Sequence, residues 1–260
     1  MNGARFAGKV AVVTGAGMGM GEAAALAFAA EGASVVVVDI NAEAAANTVS
    51  AIEANGGRAV AVVADVSKTA EVARIPAAAT EAFGGIDCLF NNAGIQTYGT
   101  VLELDEDTWD RTLNVNLKSV YLVSRACIPS MIERGGGAIV NMSSVQGLAS
   151  QRRVPAYCAS KGGIIAMTRS MALDHAPQGI RVNSVCPASV DTPMLRWAAG
   201  LNVTEDQVEA TVKEWGEAYP LGRVARADEI AQVVLFLCSD QSSFITAASI
   251  VVDGGYTVQL

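Results

Sequence analysis

The stretches VAVVT, within Lys9–Thr14, and SVVVVD, Ser34–Asp39, are apolar with no alternation. A strand with one wet face alternates apolar and polar residues. An unbroken apolar run therefore demands burial on both faces, the condition of a central strand in a parallel sheet. Further runs at Arg58–Ala64, Ile86–Asn91, Ala138–Met142, Gly179–Val185 and Ser249–Val252 bring the predicted strands to about seven. Between them, Gly21–Glu31, Ala42–Asn55, Ala70–Phe83, Glu106–Arg134, Ala156–His175 and Asp228–Ser239 have helical period. This alternation predicts an α/β fold, a doubly wound parallel sheet with helices on both faces and right-handed crossovers. Pro76 is expected to start or kink its helix.

No linker or composition break divides the 260 residues, so one domain over 1–260 is expected. The least regular stretch, Pro187–Gly222, holds Pro187, Pro193 and Pro220 around a charged helical pattern at Thr204–Glu217. An insertion of this kind between strand and helix reads as a lid or substrate loop, with an inert surface excursion as the alternative.

Composition removes several functions. With 18 Lys+Arg against 26 Asp+Glu, the net charge of −8 repels nucleic-acid phosphates and anionic lipid surfaces. Five scattered cysteines form no CxxC pair and suit a reducing, cytoplasmic setting. The first residues show no extended apolar core with a cleavage site, and no segment is apolar over about 18 residues, so neither export nor membrane anchoring is expected. A single histidine, His175, excludes zinc sites built on several imidazoles, and no metal is expected. Lying in DHAPQG, it reads as the last residue of a helix.

KVAVVT runs directly into Gly15-Ala-Gly17-Met-Gly19-Met-Gly21 and then into an Ala-rich helix. Glycines let the backbone turn sharply and approach a pyrophosphate, whose charge the free N–H groups at a helix start attract. A strict GxGxxG is not present, since its third glycine would fall at Met20, and a plain strand-to-helix connection is the competing reading. Asp39 ends the second strand, where a carboxylate accepts hydrogen bonds from ribose hydroxyls and repels a 2′-phosphate. Met18 and Ile40 add no basic side chain, so NAD is the expected cofactor rather than NADP. Capping of the next helix is the alternative use of Asp39, although Asn41 can do that instead.

With histidine out of contention, Tyr157-Cys-Ala-Ser-Lys161 is the strongest proton-transfer pattern. At i and i+4 the two side chains share a helix face, and an ammonium beside a phenol is expected to lower its pKa. Ser144 follows the apolar strand AIVNM, at the sheet edge where ligands bind, and its hydroxyl can donate to a substrate oxygen. A turn-capping serine is the alternative there. Gln96, Gln146, Gln151, Arg152, Arg153 and the loop near Leu195–Trp197 are the residues expected to border the substrate. Their amides and guanidinium groups would suit a hydroxylated or anionic cyclic molecule, unless the arginines only pair with surface carboxylates or a neighbouring subunit.

TGAGMGMG, Asp65-Val66, Asn91–Gly94 (NNAG), Asn116 in NVNLKSV, Ser144, YCASK, VDTPM and the closing VDGGY together resemble the short-chain dehydrogenase/reductase family across essentially the whole chain. The resemblance implies a Rossmann-like fold and an NAD-dependent oxidoreductase that interconverts a secondary alcohol, such as a sugar, polyol or anionic cyclic alcohol, with its ketone or lactone. It implies Tyr157 as acid/base, Lys161 lowering its pKa and binding the nicotinamide ribose, and Ser144 positioning the substrate oxygen. Asn116, with Asn114 as rival, would support a water and proton relay through Lys161. The implied cofactor-binding set is Gly15, Met18, Gly19, Met20, Gly21, Asp39, Ile40, Asp65, Val66, Asn92, Ala93, Gly94, Tyr157, Lys161, Pro187, Val190 and Thr192. Within it Asp65 would meet the adenine amino group and Thr192 the carboxamide. One departure is Pro187-Ala188, where relatives carry Pro-Gly. A homotetramer is the implied assembly. Two other readings share the scaffold: a 3-oxoacyl thioester reductase, which usually favours NADPH, and an NAD-binding sensor or scaffold without turnover.

Overall fold

The computed structural model describes residues 4–259. In chain order the elements begin β1 (Val10–Thr14), α1 (Gly19–Ala30), β2 (Ser34–Asp39), α2 (Ala42–Ala54), β3 (Arg58–Val63), α3 (Thr69–Val72), α4 (Arg74–Phe83) and β4 (Cys88–Asn91). There follow α5 (Glu106–Leu113), a π turn (Asn114–Lys118), α6 (Ser119–Glu133), β5 (Gly137–Met142), α7 (Pro155–His175) and β6 (Ile180–Pro187). The chain continues through β7 (Val190–Asp191), α8 (Pro193–Ala199), α9 (Val208–Glu217), β8 (Ala225–Arg226), α10 (Ala227–Cys238) and β9 (Ser249–Val252).

Seven strands form one sheet in the order β3-β2-β1-β4-β5-β6-β9, every pair parallel. This is the doubly wound, Rossmann-like sheet the apolar runs predict. Alternate valines explain why those runs are unbroken. Val35 and Val37 pack into the core under α1, α2 and α10, while Val36 and Val38 pack into the opposite core with Ile75, Leu89, Val123 and Met131. Strand order reverses between β1 and β4, which opens a crevice at the strands' carboxyl ends. Thr14, Asp39, Asn91, Met142 and Pro187 end the strands that border it.

Two predicted helices are divided. Ala73 separates α3 from α4, and Pro76 sits in the first turn of α4, where its missing N–H removes no helical bond. The expected helix Glu106–Arg134 is broken by the π turn, in which the Ser119 N–H donates to the Asn114 carbonyl five residues back. Within Pro187–Gly222 the chain forms α8 and α9, and the β7–β8 pair ties its start to the run into α10. His175 closes α7 as expected. Among the described residues no helix is long and apolar enough to cross a membrane.

Candidate active site

A cleft of about 730 Å³ runs along the crevice. Gly15, Met18, Gly19, Met20, Asp39, Ile40, Asp65, Val66, Asn92, Ala93, Gly94, Pro187 and Thr192 all line it, as do Ser144, Tyr157 and Lys161. Of the cofactor-binding set, Val190 lies instead on a neighbouring pocket and Gly21 lies behind the wall. The glycine turn is built for close approach. Gly15 has φ +61°, and a Cβ there would stand 2.9 Å from Ala93 Cα. A Cβ on Gly21 would stand 2.0 Å from the Gly15 carbonyl oxygen, and one on Gly19 3.3 Å from Thr192 Cγ2. Met18 caps α1 without a side-chain hydrogen bond, so the first-turn N–H groups keep no side-chain acceptor. A turn closed to side chains beside an uncapped helix start fits a dinucleotide phosphate.

Asp39 is buried and already holds this turn. Its Oδ2 accepts from the Gly17 N–H at 2.8 Å and its Oδ1 from the Asn41 N–H at 2.9 Å. Asn41, not Asp39, caps α2, accepting from the Ala44 N–H at 3.1 Å. Asp65 Oδ1 accepts from the Ser67 N–H at 2.9 Å and hydroxyl at 2.7 Å, which fixes its carboxylate at the far end of the cleft. Asn92 ties β4 to β1, its Nδ2 donating to the carbonyls of Thr14 and Gly15 at 3.0 and 3.1 Å. Thr14, which sequence reasoning passed over, is the hub: its hydroxyl accepts from the N–H groups of Asn92 and Ala93 at 3.0 and 3.1 Å. A threonine ending a strand gives no signal of that use.

Tyr157 and Lys161 lie one turn apart on α7, with Lys161 Nζ 5.4 Å from the Tyr157 ring centroid. The buried Lys161 Nζ donates to the Met142 carbonyl at 2.8 Å, and Ser143 Oγ donates to the Lys161 carbonyl at 2.8 Å, fastening α7 to the end of β5. Burial pushes the Tyr157 phenol up to about 12, with a hydrogen bond from Ser144 pulling the other way. Burial also pushes the Lys161 ammonium down to about 8, while Cys186 acts to raise it. Against the downward shift expected from the neighbouring ammonium, burial dominates and holds the phenol above its ordinary value. Ser144 caps the turn after β5, accepting from the Gln146 N–H at 3.1 Å, and donates to the Pro187 carbonyl at 3.4 Å.

Asn116 stands behind the site. Its Oδ1 accepts from the Ile95 N–H at 2.8 Å, and its Nδ2 donates to the Ile95 carbonyl at 2.9 Å and to Ser160 Oγ at 3.1 Å. It thus positions the residue before Lys161 and the segment after Gly94, while its rival Asn114 lines the cleft itself. Thr192 caps α8, its Oγ1 accepting from the Leu195 N–H at 3.3 Å.

A second pocket of about 410 Å³ shares Met20, Ser144, Tyr157, Ala188, Thr192 and Met194 with the cleft. Gln96, Gln146 and Gln151 line it, and so does Leu195; Arg152 and Arg153 do not. Arg153 pairs with Glu103 at 3.0 Å on the surface, and Arg152 is exposed. Tyr98, Trp215, Tyr219 and Tyr256 are lining residues that no spacing in the sequence joins.

Lys161 carries a stability cost that can be measured. The unfolded lysine keeps its proton up to about pH 10.5 and the folded one only to about 8. Below pH 8 both states are protonated and the buried charge costs the fold roughly 3 kcal/mol. Between 8 and 10.5 the unfolded state binds the extra proton, so stability rises with pH. Lys161→Met is expected to raise the thermal midpoint at pH 7 by several degrees, with the gap closing towards pH 10. A midpoint lower than the parent's at pH 7 would contradict this account.

Residues 15–257 match the family model described as enoyl-(acyl carrier protein) reductase. Meso-2,3-butanediol dehydrogenase of Serratia marcescens is 43% identical over 253 residues, 97% of this chain and 96% of that one. Cyclohexanol dehydrogenase of an Acinetobacter species is 39% identical over 254 residues, 97% of this chain and 96% of that one. The crystal structure of levodione reductase superposes with a TM-score of 0.93 at 34% identity, covering 98% of this chain and 100% of that one. The chain belongs to the short-chain dehydrogenase/reductase family. It is an oxidoreductase of CH–OH groups, in a family that works with a nicotinamide cofactor.

Proposed function

We propose that this chain is an NAD-preferring dehydrogenase that interconverts a secondary alcohol and its ketone, with Tyr157 as the acid/base. The observation that carries the reading is that Tyr157 and Ser144 lie in the wall common to the dinucleotide cleft and the second pocket. A nicotinamide dinucleotide, when bound, supplies or accepts the hydride. The chain's own residues do the rest. Ser144 directs its hydroxyl at the substrate oxygen, and Tyr157 gives that oxygen its proton in reduction or takes it in oxidation. Lys161 holds positive charge beside the phenol, and Asn116 positions it through Ser160 and the segment after Gly94.

The segment 187–222 supplies Met194, Leu195, Ala198, Trp215 and Tyr219 to the second pocket, which supports its reading as a substrate loop within one domain. Exposed Phe244, Val251 and Val258, on and around the edge strand β9, support a subunit contact and the homotetramer. Five free cysteines suit a reducing cytoplasm. The test of the whole reading is a spectrophotometric screen of polyols, sugars and cyclic alcohols with NAD⁺. Formation of reduced cofactor supports it, and no turnover with any of them counts against it.

NAD preference rests on Asp39. Its carboxylate is fixed by the Gly17 and Asn41 N–H groups at the ribose end of the cleft, where a 2′-phosphate would meet negative charge. Asp39→Ser is expected to raise kcat/KM with NADP⁺ and lower it with NAD⁺, narrowing the preference by at least about tenfold. Unchanged discrimination between the two cofactors would remove Asp39 from this role.

A further inference from the structure

The second pocket holds a pattern that the dehydrogenase reading leaves unused. Among the described residues its walls carry no Asp, Glu, Lys or Arg, although the chain has 44 such residues. A carboxylate or phosphate placed there would lose its water and meet no counter-charge, which makes burial of an anion costly. Four aromatic side chains line it: Tyr98, Trp215, Tyr219 and Tyr256, the last two stacked on each other at 4.8 Å between centroids. Aromatic and other apolar side chains around about 410 Å³ suit a compact, ring-sized body.

One polar atom in this setting lacks a partner. Gln146 Oε1 is buried and accepts no hydrogen bond, while Gln146 Nε2 donates to Gln151 Oε1. The Gln146 N–H donates to Ser144 Oγ at 3.1 Å, so the side chain starts beside the serine that would face the reacting oxygen. A buried acceptor left without a donor is costly, so a donor that reaches it is favoured. Resting on the dehydrogenase reading, we infer that the substrate is an uncharged, ring-sized secondary alcohol bearing a second hydroxyl, which donates to Gln146 Oε1. Gln151 is a positioning residue: it holds the Gln146 amide with its oxygen turned to the substrate. This replaces the anionic alcohol suggested by Arg152 and Arg153, which lie outside the pocket.

The test uses the purified protein with saturating NAD⁺ and six probes on one ring: cyclohexanol, the cyclohexane-1,2-, 1,3- and 1,4-diols, 2-methoxycyclohexanol and 2-hydroxycyclohexane-1-carboxylate. At least one diol is expected to exceed cyclohexanol in kcat/KM by about tenfold or more, since a site with a waiting acceptor discriminates against the analogue lacking the donor. The methyl ether, which only accepts, and the carboxylate gain nothing over cyclohexanol. In Gln146→Met the ratio of diol to cyclohexanol falls to within about twofold of one. If that variant does not fold, Gln151→Met, which releases the Gln146 amide, is expected to lower the same ratio. A wild-type ratio near one, an ether that matches the diol, a preferred carboxylate, or a ratio that survives both substitutions overturns this inference while the dehydrogenase stands. Failure to oxidise any of the six overturns the ring-sized substrate, while the dehydrogenase reading falls only if the wider screen of polyols, sugars and cyclic alcohols also gives no turnover.

Discussion

Tyr157→Phe is expected to bind NADH with a dissociation constant within about threefold of the parent, yet to turn over at least ~100-fold more slowly, the lower range for lost general acid/base help. The substitution removes one oxygen and keeps the ring, so the packing of α7 against β5 and the hydrogen bond from Lys161 Nζ to Met142 remain. What disappears is, among the described residues, the only ionisable group in the wall that both pockets share, since Ser144 and Thr192 hydroxyls do not titrate in this range. The pH profile gives the claim a sign. With the phenol near 12 and the ammonium near 8, the site at pH 7 holds both protons and is set to donate. Reduction of a ketone therefore proceeds at neutral pH, while oxidation of an alcohol speeds up as pH rises and the proton is more easily released. Fluorescence titration with NADH and initial rates in both directions measure all of this. Near-parental kcat in the Phe protein would end the acid/base assignment.

The readable parts of this molecule are those where one residue's environment follows from its neighbours in sequence. Val35 to Val38 could be placed on both faces of a sheet because no alternation was present, and the two cores divide them as period two requires. Asn41 could be read as the cap of α2 because capping is a matter of three residues. The π turn could not be read, because one extra residue in a turn leaves the apolar pattern of Glu106–Arg134 almost unchanged; yet that turn decides that Asn114 meets the cleft while Asn116 lies behind it. Depth was equally hidden. Spacing puts Lys161 beside Tyr157, but it does not say that both are desolvated and that burial sets the direction of both shifts. Arg152 and Arg153 follow Gln151 in the chain but face away from the pocket, with Arg153 taken up by Glu103. Tyr219 and Tyr256 reach the pocket from segments that only the tertiary fold brings together.

Gly21→Ala is expected to destabilise the protein by more than the roughly 1–3 kcal/mol usual for an overpacked site, lowering the thermal midpoint by about 10 °C or more. The new Cβ would stand 2.0 Å from the Gly15 carbonyl oxygen and 2.6 Å from Asn92 Nδ2. Neither can retreat cheaply. The Gly15 carbonyl is backbone in a turn at φ +61° and is already held by Asn92 Nδ2 at 3.1 Å, while Asn92 also holds the Thr14 carbonyl. Moving that oxygen would pull on β1 and β4 at the point where strand order reverses, so the damage reaches the sheet and not only a loop. Gly162→Ala provides the contrast, because its Cβ would meet Gly147 O at an ordinary 3.6 Å inside α7. There alanine relieves the entropic cost of a helical glycine, and the midpoint is expected to hold or rise. Calorimetry on the two proteins separates the explanations. Equal midpoints would mean that the close contact at Gly21 does not brace the fold, whereas a large loss confined to Gly21→Ala means that the glycine turn and the sheet are braced by the same close contact.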